Sequence, residues 1–190
     1  MKTELKWIIS LLVIALSLSG MSVHGAEIEG VFFEDSIALE GTTLKIRGVG
    51  LFRFKLIIKA YVGALYMLVG TPSERVLADT PKRLEIEYFH AIKGEDFGSA
   101  SNKIMSRNVD PEVFKRLKPR LDKLNALYRD VQPGDRYSLT YLPGKGTELA
   151  LNGNPLGVVE GDEFASALYA MWLGEKPMNN SFRQQLLGEP

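Results

Sequence analysis

FRFKLIIKAYVGALYM, residues 52–67, decides how the chain is read. Every second residue from Phe52 is apolar: Phe52, Phe54, Leu56, Ile58, Ala60, Val62, Ala64, Tyr66. The other parity opens with Arg53, Lys55 and Lys59 and closes with Tyr61, Gly63, Leu65 and Met67. Period-two alternation rich in β-branched and aromatic residues predicts strand. Strict alternation places Arg53, Lys55, Lys59 and Tyr61 on one face. That face is either solvated or the floor of a site where a cation meets a ligand. Gly48 and Gly50 predict a bend, a bulge or a hairpin corner, so the direction of Arg53 stays open.

Outward from this stretch, strands come first. EIEGVFFEDSIAL (27–39) alternates loosely, with a turn at Glu34-Asp35-Ser36. KRLEIEYFHAI (82–92) is a further strand with Leu84, Ile86, Tyr88 and His90 on one side. The period then lengthens. Phe97, Ala100 and Ile104 predict a helix over 94–107, and Asp110-Pro111 opens a second one striped by Phe114, Leu117, Leu121, Leu124 and Tyr128. Pro119 predicts a kink or a division there. Strands return at 136–143, 147–153 and 155–161, with turns at Gly144-Lys145-Gly146 and Asn152-Gly153. Asp162 is read as the cap of a helix carrying Phe164, Leu168 and Trp172 that stops at Gly174, and SFRQQLLG closes the chain helically. An antiparallel sheet with helices gathered on it is the α+β class.

The 190 residues suffice for one domain with a real core. Residues 1–25 read as a signal peptide: Lys2 and Lys6, an apolar run from Ile8 to Leu18, then Val23-His24-Gly25. Residues 26–190 are then the mature domain, exported to the periplasm, with no later segment apolar enough to span a membrane. Without residues 1–25 the chain lies within one charge of neutral and has no basic stripe, which argues against nucleic acid. Cysteine is absent and His90 is the one histidine outside the leader, so neither a transition-metal site nor a disulfide framework is expected. No dinucleotide fingerprint, calcium loop or nucleophile elbow occurs, and no cofactor is expected. What remains is Arg53 with Lys55, Lys59, Tyr61 and Tyr66. An arginine fork grips a carboxylate or enolate-like oxygen in two places. Set between sheet and helices, it would hold the head of an amphiphile whose tail lies among apolar side chains.

GVGLFRFKLIIKAYVGALYM, VQPGDRYSLTYLPGKGTELALNG (131–153) and EFASALYAMWLGEKP followed by FRQQLL together resemble the chalcone isomerase-like superfamily, most closely its exported bacterial branch. The resemblance covers nearly the whole mature chain in order. It implies an open-faced β-sandwich: a large antiparallel sheet covered on one face by helices, with a ligand cleft between. The superfamily includes chalcone-cyclising enzymes and fatty-acid-binding proteins. The enzymes hold the substrate with a strand arginine, for which Arg53 is the candidate here. Of their helpers, the strand threonine matches Tyr61, the helix tyrosine Phe97, and the penultimate-helix threonine or serine Met171. The asparagine falls near Ile104, with Asn102 and Asn108 close by. Three polar helpers thus become apolar, each a loss of up to a few kcal/mol of transition-state stabilisation.

The reading that follows is a non-catalytic binder of a fatty acid or similar anionic amphiphile, with Arg53, Tyr61, Lys59, Phe97 and Met171 as ligand-binding residues. The alternatives are an intramolecular lyase acting on an enone or phenol through an Arg-based oxyanion site, and an envelope interaction protein using RLKPRLDKLNALYRD as its surface. Trp172 and Phe164 read as core anchors, and Asp135 as a turn acceptor.

Overall fold

The computed structural model describes residues 25–55 and 57–189. The expected signal peptide, Gly25 apart, lies outside the described residues. A hairpin of β1 (Gly25–Ile28) and β2 (Val31–Glu34) precedes a seven-stranded antiparallel meander. Its strands are β3 (Ser36–Leu39), β4 (Thr42–Phe54), β5 (Ile58–Met67), β6 (Lys82–Tyr88), β7 (Arg136–Leu142), β8 (Gly146–Leu151) and β9 (Asn154–Val159), neighbours in sequence being neighbours in the sheet. The helices α1 (Gly94–Asn108), α2 (Pro111–Asn125), α3 (Asp162–Leu173) and α4 (Asn180–Leu187) all pack on one face. The α+β class and the open-faced sandwich are therefore as expected. The other face is not bare: Val31 and Phe33 of the first hairpin cover Leu44, Val62, Ala64 and Tyr66.

β5 is consequently buried on both sides, which is why its second half reads as an unbroken apolar run. Tyr61, Leu65 and Met67 join the helix-side core, and Val62, Ala64 and Tyr66 the hairpin-side core. The hairpin corner falls at Lys55–Ile57, where Lys55 has φ 49°, and not at the glycines. β4 continues past Gly48 and Gly50 with a bulge between Ile46 and Gly48, as those glycines suggested, and α4 needs both of them small. A Cβ on Gly48 would lie 2.2 Å from the Gln185 carbonyl oxygen, and one on Gly50 2.9 Å from the Phe182 ring. Gly63 completes this seat, 2.9 Å from the Phe182 ring by the same test. Asn179 caps α4, its Oδ1 accepting from the Phe182 N–H at 2.8 Å, and so aims Phe182 into the seat. Full burial of that ring stabilises the fold by about 2–3 kcal/mol.

Three other boundaries differ from expectation. α2 passes unbroken through Pro119, since Leu117, Leu121 and Leu124 bury on either side of it. β6 ends at Tyr88, four residues early, after which Ile92 makes only an isolated bridge to Val131. Asp162 is the first helical residue of α3 and Gly161, at φ 108°, is its cap. Asp135 is the turn acceptor it was read to be, taking the Gln132 N–H at 2.7 Å and the Asn152 amide at 2.8 Å.

Candidate functional site

Between the sheet and the helices lies a cavity of about 250 Å³. Tyr61, Leu84, Ile86, Tyr88, Tyr137 and Leu139 supply its floor from β5, β6 and β7. Phe97, Ala100, Ser101 and Ile104 of α1 and Met171 and Trp172 of α3 form its roof. Asp96 is exposed at the rim, beside the half-buried Ile92, Tyr128 and Met178.

Aromatic rings set its shape. Tyr61 stacks on Phe52 with centroids 4.6 Å apart and meets Tyr88 edge-on at 5.7 Å. Phe97 meets Tyr88 at 5.3 Å and Tyr128 at 5.1 Å. Offset and edge-on pairs of this kind add about 0.5–1.5 kcal/mol each beyond their area, so the walls are stiff. The Tyr137 hydroxyl is occupied, accepting from the Arg129 N–H at 2.7 Å and donating to the Arg129 carbonyl at 2.9 Å. The Tyr61 hydroxyl has only a weak sulfur acceptor, Met178 Sδ at 3.8 Å. The Trp172 indole N–H beside the Tyr61 phenol works against the rise in its pKa that burial causes, yet it completes no hydrogen bond of its own. Nearly every buried polar group in a native protein is paired, and this donor is an exception among the residues that line the cavity.

Electrostatics narrow the chemistry. Asp96 is the one charged residue among those lining the cavity. Burial pushes the phenols of Tyr61 and Tyr88 far up and that of Tyr128 up to about 12, a Ser101 hydrogen bond opposing the last shift. They stay protonated at physiological pH. The cavity walls thus offer neutral donors and no cation, with the Asp96 carboxylate at the rim. Among the described residues no cluster of His, Cys, Asp and Glu could hold a metal ion, and no helix is long and apolar enough to cross a membrane.

The family model for chalcone isomerase-like proteins matches residues 25–188. The chain belongs to the chalcone isomerase-like family. A solved fatty-acid binding protein of Arabidopsis thaliana is similar in fold, with a TM-score of 0.66 at 17% identity over 83% of this chain and 92% of that one. No curated protein matches in sequence.

Within this chalcone isomerase-like fold the five residues singled out from sequence divide into two groups. Tyr61, Phe97 and Met171 line the cavity, as does Ile104. Arg53 and Lys59 do not, which corrects the expectation that they stand with Tyr61. They are exposed on the hairpin side of the sheet, where Glu29 in the β1–β2 turn meets Arg53 at 3.7 Å and Lys59 at 2.5 Å. The cause is a β-bulge. Phe52 pairs with Tyr61 but the next residue, Arg53, pairs with Lys59, so Ala60 is left over. One extra residue reverses the alternation, and Lys59 and Tyr61, two apart in sequence, face opposite ways. Asn102 and Asn108 are not wall residues of this cavity. Asn102 donates to the Gly98 carbonyl, while Asn108 binds the backbone of Lys176 and so ties down the loop that bears Met178. Tyr88, Tyr128, Tyr137 and Trp172 were missed as site residues. The run Leu84, Ile86, Tyr88 on one side of β6 was the available signal.

Proposed function

We propose that this protein binds a fatty acid or similar single-tailed amphiphile in the cavity beneath α1 and α3, and that it does so in the periplasm after export. The observation that carries the reading is the unpartnered Trp172 N–H beside the Tyr61 hydroxyl within otherwise apolar walls. A head-group oxygen would accept from both donors while the tail lies along Leu84, Ile86 and Ile104. The Arabidopsis fatty-acid binding protein, alike in fold, supports the ligand class. The volume, just under the ~300–1,000 Å³ usual for small-molecule sites, favours a short tail or one whose end remains at the rim. The head meets neutral donors and not Arg53, so a carboxyl, a hydroxyl and an ester are all accommodated. Export rests on the apolar run at 8–18 and the small residues that follow it.

The test is mass analysis of small molecules extracted from the purified protein, from Ala100→Leu, which fills the cavity, and from Arg53→Ala, which lies outside it. Amphiphiles are expected in equal amounts from the native protein and Arg53→Ala, and about tenfold depleted from Ala100→Leu, a loss of about 1.4 kcal/mol. Equal recovery from all three would place any ligand elsewhere. Empty extracts, with turnover of chalcone-type enones above the solution rate, would favour the isomerase alternative, in which the same two donors hold an oxyanion.

A further inference from the structure

The tip of the β4–β5 hairpin is built unlike the rest of the described surface. Phe54 is 51% exposed, Ile57 79% and Ile58 42%, three large apolar side chains within five residues of chain. Among the described residues the other large exposed apolar side chains, Phe32, Val69 and Val158, come from three separate elements or turns. Arg53, Lys55 and Lys59 interleave with the apolar residues of the tip, and Glu29 is the carboxylate that pairs with two of these three cations. The tip therefore keeps a positive excess. An apolar wedge ringed by cations suits neither water nor an apolar protein core. Its complement is a surface whose outer layer is anionic and whose interior is hydrocarbon.

The position of the tip adds to this. Phe54 pairs with Ile58, two steps past the Phe52–Tyr61 stack that borders the cavity. At ~3.3 Å per residue, Ile58 stands about 10 Å beyond Tyr61 along β5. The tip also touches the cavity rim through the chain: His90 Nε2 lies 3.0 Å from the Lys59 carbonyl oxygen, and Ile92, two residues on, is a rim residue. We infer that the β4–β5 tip is a docking point for an anionic phospholipid bilayer, with Phe54, Ile57 and Ile58 entering the acyl boundary and Arg53, Lys55 and Lys59 engaging headgroups. Docked there, the protein presents its cavity rim to the layer from which an amphiphile is drawn. That purpose rests on the amphiphile-binding reading, whereas the docking itself is measured without any cavity ligand.

The chain has no cysteine, so a single substitution gives a unique label site. Ile57→Cys and, as reference, Val69→Cys in the β5–β6 connection would each be tagged with an environment-sensitive dye in the full chain. Vesicles of phosphatidylcholine alone would be compared with an equimolar mixture of phosphatidylcholine and phosphatidylglycerol. A blue shift at position 57 with the mixed vesicles only, absent at position 69, is the expected result. Lys55→Gln in the Ile57→Cys background should weaken it about fivefold, and salt near 1 M, where the Debye length is about 3 Å, should abolish it. No shift at 57, an equal shift at 69, or an equal shift with phosphatidylcholine alone would each overturn the inference. Ligand extraction from the same protein is independent of all these outcomes, so a failed docking site and a failed amphiphile site are told apart.

Discussion

Two helix–sheet contacts in this molecule obey opposite rules. α4 lies on Gly48, Gly50 and Gly63, and its backbone descends until a single added Cβ would collide with carbonyl oxygens of the helix. α1 and α3 lie over Tyr61, Tyr88 and Tyr137, and those rings hold the helices away from the strands. The first contact leaves no room and the second leaves the cavity. Glycine in a strand is a local weakness, but here it permits close packing that aromatic residues forbid. The same sheet thus carries a clamp at one place and a propped-open chamber at another, and side-chain size alone makes the difference.

Alkaline titration is the broadest way to test the propped contact. All seven tyrosines have raised pKa values, burial being the first cause in each case. Each is raised from an unfolded value of about 10, so its contribution is complete below that pH. It is then lost as pH climbs toward the folded value, because the unfolded chain releases the proton first. Stability should hold steady up to about pH 10 and then fall steeply and cooperatively. Tyrosinate absorbance should appear together with loss of far-ultraviolet dichroism. Gradual ionisation of several tyrosines in a still-folded protein would mean that the rings are not sealed under the helices.

Gly48→Val tests the clamp. With 2.2 Å to the Gln185 oxygen and 2.7 Å to the Leu186 oxygen, nothing flexible can yield. The expected loss is about 3 kcal/mol, at the upper end for overpacking, read from denaturant unfolding. A change under about 1 kcal/mol would show that α4 lifts easily and that the two contacts differ less than their geometry suggests. Trp172→Phe gives the smallest effect and the sharpest discrimination. It removes the orphan donor, so affinity for a long-chain alcohol should drop about fivefold, the worth of one ordinary hydrogen bond. Affinity for the matching alkane should hold or rise in the enlarged space. Equal losses for alcohol and alkane would make Trp172 a packing residue of the chamber and no more.

Much of this was legible in the sequence. The period-two run at 52–67, the helical stripes at 97–104 and 114–128, and the turn at Gly144-Lys145-Gly146 all announce their elements. The chamber was legible in part, since Tyr61, Phe97 and Met171 line it. Three things were hidden, for physical reasons. Which parity of a strand faces which layer depends on every residue being paired, and a bulge at an alanine has no mark in composition. Whether a buried aromatic fills space or borders it depends on what stands opposite, so Tyr88, Tyr128, Tyr137 and Trp172 looked like ordinary core. The hairpin corner at Lys55–Ile57 was obscured because its residues lack the Gly, Asn or Asp that usually betray a turn.

The leftover Ala60 has an evolutionary consequence. One residue inserted between Phe52 and Arg53 would give Ala60 a partner, restore plain alternation, and swing Arg53 and Lys59 onto the chamber side with Tyr61. The fold would survive such a change, since it lies next to the hairpin tip. The chamber would exchange a neutral reception for a cationic one, visible as a new preference for an acid over its methyl ester. Insertion or deletion at this one ladder step is therefore a route by which the charge of the chamber could change without altering any residue that now lines it.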